Sequence, residues 1–109
     1  MSGLANTPEP PYYAVIFTSL RTAGDHGYGQ MSDRMVELAA TMPGFLGYES
    51  AREGLGITIS YWESTEAIRN WHQQAEHKLA QQQGYEMWYQ SFRIRVCKVE
   101  RDYGFKRSA

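Results

Sequence analysis

GFLGYESAREGLGITISYWES, Gly44 to Ser64, lies between two stretches of helical periodicity. Gly44–Arg52 and Gly56–Ser64 are rich in aromatic and β-branched residues and read as two strands. The link EGLG between them, Glu53 to Gly56, is short and carries two glycines, so it reads as a hairpin turn. Upstream, Met31, Met35, Leu38, Ala39 and Met42 recur at the spacing of one helix face, predicting a helix from about Tyr28 that Pro43–Gly44 stops. Downstream, Ser64 or Thr65 can cap a second helix, with Glu66 at its positive end. That helix is expected to run to about Gln83, with Gly84 as its stop. YYAVIFTSL, Tyr12–Leu20, reads as a buried first strand, and Thr22–Gly29, with three glycines, as a loop. Trp88 to about Arg101 alternates and reads as the last strand.

The order is β-α-β-β-α-β. It predicts a ferredoxin-like α+β fold, with a four-stranded antiparallel sheet and two helices on one face. Residues 1–11, with Pro8, Pro10 and Pro11 and no apolar pattern, are expected to be a mobile tail. The folded domain then spans 12–105, with a short C-terminal tail at 106–109. Along the last strand Phe92, Ile94 and Val96 point one way and Arg93, Arg95, Cys97 and Val99 the other. In the third strand Ile57, Ile59 and Tyr61 alternate with Thr58, Ser60 and Trp62. The helix-free face is therefore mixed and carries large side chains. Such a face suits a second copy of the chain, and a homodimer packed sheet to sheet is the expectation.

With 109 residues the chain makes one domain, and its interior is small. A large pocket would hollow that interior unless a second copy helped to enclose it. A net charge of −1 gives no general attraction to nucleic acid or to anionic lipid. No apolar run approaches the roughly 20 residues of a membrane span, and the first residues lack the pattern of a signal peptide. Cys97 is the single cysteine, so no internal disulfide forms and a cytoplasmic setting is expected. It reads as an inert, buried thiol rather than a nucleophile, because no base partner stands out.

The second helix holds the histidines. On a straight helix Ile68, Ala75 and Leu79 form the buried stripe, flanked by Trp71 and His72, while His77 turns to the polar side. His72 and Glu76 are one turn apart and read as a hydrogen-bonded pair at the helix border. No third ligand converges on either histidine, so no metal is expected. His26, in the glycine-rich loop, reads as a loop hydrogen-bonding residue. Phe17, Tyr48, Trp62, Trp71, Trp88 and Tyr89 come from several elements and can meet between sheet and helices, either as core or as the wall of a flat apolar pocket.

YYAVIFTS, PGFLGYESAR, GITISYW, EAIRNW, EHKLAQQQG and WYQSFRIRVCKVERDYGF, read in that order, resemble the antibiotic biosynthesis monooxygenase family. The resemblance covers about Tyr12 to Phe105 and is closest to small stand-alone bacterial members. It implies a dimeric α+β barrel. One branch of that family oxidises aromatic phenols to quinones with oxygen and no cofactor. By that resemblance the catalytic residues are His77 or His72 as base and Trp71 as wall. Phe17, Tyr48, Trp62, Gln81, Trp88, Tyr89 and Arg93 would contact a small aromatic substrate. Histidine suits the base role, since an ordinary imidazole titrates near pH 6.5. The straight-helix reading favours His72, while the EH…AQ pattern of the relatives favours His77; His77 is the expected base, brought to the pocket by a helix kink or by the partner chain. A second branch degrades haem with an Asn on the first strand, a Trp in the second helix and a His ten residues later. Here Trp71 matches, but Gln81 stands at the His position and Tyr12–Leu20 holds no Asn. A dimer that binds a ligand without turnover, and a haem-binding relative, are the alternatives.

Overall fold

The computed structural model describes residues 3–81 and 84–108, with the side chains of 77–81 and 84–85 left aside. Seven elements follow one another: β1 (Tyr12–Arg21), α1 (Tyr28–Thr41), β2 (Phe45–Glu53), β3 (Leu55–Trp62), α2 (Thr65–Gln81), α3 (Gly84–Trp88) and β4 (Tyr89–Val99). The strands form one antiparallel sheet in the order β2-β3-β1-β4. This is the ferredoxin-like arrangement read from the sequence. The β2–β3 turn is tight, with Glu53 paired to Leu55 across Gly54 in the left-handed region at φ 79°.

Local chemistry sets the helix starts. Asp25 accepts from the Gly27 and Gly29 amides through its two carboxylate oxygens, 3.1 and 3.2 Å away, and fixes the entry to α1. Ser64 caps α2 by accepting from the Ala67 amide at 3.1 Å. Gly44, after α1, has φ 89°, and a Cβ there would lie 2.7 Å from the Ala67 Cβ. Two separate constraints thus demand glycine. Gly44→Ala is expected to cost about 1–3 kcal/mol, from the left-handed strain and the forced shift of α2. A urea midpoint unchanged from wild type would contradict this.

The expected helix end near Gln83 lies outside the described residues; α2 is described to Gln81, and Gly84, expected as a stop, is helical in α3. Trp88, at the end of α3, is buried and donates its indole N–H to the His26 carbonyl at 2.8 Å. The Trp88 carbonyl accepts from the Thr22 amide and from Arg21 Nε, both at 3.0 Å. These bonds seat Trp88 against the β1–α1 loop, and β4 begins at Tyr89.

The buried core is concentrated at one end of the sheet. Trp62, 0% exposed, packs with Ala39, Ala67 and Ile68, with Phe45 and Trp71 against it. Its ring stacks on Trp71 at 5.9 Å and meets Phe45 edge to face at 5.3 Å. Its indole N–H donates to Ser60 Oγ at 2.9 Å.

On the helix-free face, the Ala5 amide donates to Glu49 at 2.9 Å, and Thr7 donates to the Tyr12 hydroxyl at 2.9 Å. Tyr12 in turn donates to Asp102, and Tyr61 to Glu49 at 2.7 Å. Cys97, expected to be buried, is exposed on this face. The expectation assumed that the whole face is covered, and in a single subunit it is covered only near Tyr12 and Ala14.

Burial, followed by the hydrogen bond to a carboxylate, raises the Tyr12 and Tyr61 pKa values above the ordinary tyrosine value. A raised tyrosine binds its proton more tightly in the folded chain. Its stabilising contribution is intact below about pH 10 and declines as pH rises from there. The urea midpoint is expected to fall between pH 9 and pH 11, and less steeply in Tyr61→Phe. Equal slopes for the two proteins would remove Tyr61 from the cause.

Candidate active site

Beyond the Trp62 cluster the helices stand away from the sheet and leave a cavity of about 520 Å³. That lies within the range of small-molecule sites. Antiparallel register decides its floor. Ser50, Thr58, Phe17 and Ile94 form one cross-sheet row, and Tyr48, Ser60, Val15 and Val96 the next. The floor is thus divided lengthwise. Its β2–β3 half presents hydroxyls and its β1–β4 half presents hydrocarbon. Phe92, Ile94 and Val96 are 36, 41 and 52% exposed, so the cavity opens over β4.

The roof is helical. Met31, Met35 and Ala39 come from α1, and Ile68, Trp71, His72 and Ala75 from α2. The period of 3.6 that buries Ile68 brings Trp71 and His72 to the cavity rim one after the other. His72 Nε2 lies 3.4 Å from Glu76 Oε1, the i,i+4 pair read from the sequence, and both side chains are about half exposed. With Nε2–H directed at Glu76, Nδ1 is left as the proton-accepting nitrogen. Trp71 presents one ring face to Trp62, so it is held flat. No group of three or more His, Cys, Asp or Glu side chains suited to a metal occurs among the described residues.

Of the residues nominated from sequence, Phe17, Tyr48, Trp71, His72, Trp88 and Tyr89 line this cavity. Trp62 does not reach it and supports Trp71 from behind. Arg93 pairs with Thr18 and belongs to the opposite face, as its alternation with Phe92 and Ile94 requires. His77 and Gln81 lie outside the described side chains. The hydroxyl half of the floor, with Ser50, Thr58 and Ser60, was not nominated. Its only sequence signal is that Thr58 and Ser60 share the period-two face of Trp62.

At the far end of the cavity from Trp62 stand Ser19, Tyr28 and Tyr89. Burial, then the hydrogen bond with Tyr28, pushes the Tyr89 hydroxyl well above its ordinary pKa. It stays protonated across the neutral range.

The sequence profile of the antibiotic biosynthesis monooxygenases matches residues 11–83. The chain belongs to the antibiotic biosynthesis monooxygenase family. A protein of Bacillus subtilis (strain 168), uncharacterized protein YqjZ, is 52% identical over 110 residues, covering 99% of this chain and 96% of that one. Among solved structures, a mutant of SnoaB, a cofactor-independent oxygenase from Streptomyces nogalater, aligns with a TM-score of 0.69. The alignment covers 84% of this chain and 95% of that one at 13% identity. PA3566 from Pseudomonas aeruginosa aligns with a TM-score of 0.62 at 20% identity, over 88% of this chain and 99% of that one. At such identities these two structures establish the shared fold. None of the helices is long and apolar enough to cross a membrane, among the described residues.

Proposed function

We propose that this chain is a cofactor-independent oxygenase, an oxidoreductase that converts a planar phenolic substrate to a quinone with molecular oxygen. The observation that carries the reading is the apolar cavity walled by Trp71, with His72 on its rim and Glu76 behind His72. Membership of the family and the fold shared with SnoaB support it.

His72 Nδ1 takes the phenolic proton, and Glu76 favours the imidazolium that forms. The phenolate places electron density on the ring carbon para to its oxygen. That carbon forms a C–O bond to oxygen, giving a hydroperoxide. Loss of water across the C–H and O–O bonds then leaves a carbonyl. One phenol and one O2 give one quinone and one water. The protein's part is to ionise the phenol and hold its ring flat against Trp71.

The cytoplasm suits the lone Cys97. In the working form two copies pair through the helix-free faces, where Leu20 and Ile57 remain 40 and 39% exposed in one subunit. Pairing would also cover Cys97. Oxygen uptake in the presence of 9-anthrol, with anthraquinone as product, tests the activity. Tight binding of 9-anthrol with no uptake above the uncatalysed rate would leave a ligand-binding role in place of the oxygenase.

A further inference from the structure

The end of the cavity remote from Trp62 carries chemistry that the oxidation does not use. Ser19 is 4% exposed and lines the cavity there. Its Oγ accepts from Arg52 Nη2 at 2.6 Å. Among the described residues the Ser19 hydroxyl donates no hydrogen bond, and its oxygen is polarised by a guanidinium. The space that makes this approach possible is Gly56, where a Cβ would lie 2.1 Å from Arg52 Nη2. Beside it stand Tyr28 and Tyr89, whose rings meet edge to face at 5.7 Å. Each tyrosine hydroxyl carries a hydrogen that it can donate.

Two cations flank this end. The Arg21 guanidinium lies 3.7 Å from the centre of the Tyr28 ring, and that of Arg52 lies 5.9 Å from it. Arg21 gives its hydrogen bonds to main-chain oxygens of Trp88, Gly24 and Asp25, and Arg52 to Ser19. Neither forms an ion pair with a carboxylate among the described residues. Two guanidinium groups without a carboxylate partner among the described residues and the Ser19, Tyr28 and Tyr89 hydroxyls therefore meet at this end.

We propose that this end is an oxyanion subsite, and that the ligand of the cavity is a planar aromatic acid whose ionised oxygen is held by Ser19 and the Tyr28–Tyr89 pair under Arg52 and Arg21. The inference rests on the cavity being a ligand site and narrows its ligand to an anion. The ring system then extends from this end toward Trp71, placing the phenolic hydroxyl near His72 and the acidic group at the opposite end.

Calorimetric titration of the intact protein with 2-naphthoate and with its neutral isostere 2-naphthamide tests it. The naphthoate is expected to bind at least tenfold more tightly, with a preference that shrinks as salt is raised. Arg52→Gln is expected to reduce that preference to less than twofold by weakening the acid alone, and Arg52→Lys to keep part of it. Ser19→Ala should reduce the preference severalfold, with far-UV circular dichroism confirming that each variant is folded. Equal binding of the two probes by the wild type would overturn the subsite while leaving the cavity reading intact. A uniform loss of both probes in Arg52→Gln would do the same, since it marks a purely structural arginine. Failure of both probes to bind the wild type would remove the cavity reading and this inference together.

Discussion

Trp62→Ala is expected to destabilise the chain by about 3–5 kcal/mol, which lowers the thermal midpoint by roughly 15–25 °C. Trp62 is the one side chain fully withdrawn from water among the described residues, and it joins elements from both layers. Its ring holds Phe45 on one side and Trp71 on the other, and its N–H satisfies Ser60. The helices cannot collapse into the space left, because the remaining core at this end consists of small side chains, Ala39 and Ala67, and of Ile68. A domain of this size has only about 5–15 kcal/mol of stability in total, so the loss is a large share of it. Trp62→Phe keeps most of the packing and should cost much less. Thermal unfolding followed by circular dichroism reads both. A fall of under about 5 °C for Trp62→Ala would mean that the layers are joined elsewhere.

His72→Ala is expected to slow oxygen uptake with 9-anthrol by about 10²–10⁴-fold, the usual contribution of a positioned general base. Glu76→Gln should have a smaller effect, since it removes the partner that orients the ring and not the base itself. An oxygen electrode gives the rates. A His72→Ala enzyme within twofold of wild type would move the base away from His72. His77→Ala, measured in the same series, is then the informative comparison, because the family pattern directs attention there.

These two experiments probe residues that sequence placed with unequal certainty. The periodicity of α2 puts Trp71 and His72 beside Ile68 on any straight helix, and so it placed His72 at the edge of the buried stripe. Trp62 was nominated as a pocket wall on residue type alone. The register of β3 against β1 and β2 makes it the support of that wall instead. Arg93 illustrates the same limit. Alternation already set it opposite Phe92, yet nothing in the local pattern told which face of the sheet the helices would cover.

Alternation and helical spacing are properties of neighbouring residues, and they were enough to determine the β-α-β-β-α-β order, the hairpin at Gly54 and the His72–Glu76 pair. The seating of Trp88 in the β1–α1 loop, the division of the cavity floor into hydroxyl and hydrocarbon halves and the approach of Arg52 to Ser19 were decided only by tertiary structure. Each depends on strand register, which brings together side chains 30 or more residues apart, as Ser19 and Arg52 are. No local preference records such a distance, because register is chosen by the packing of the whole sheet at once.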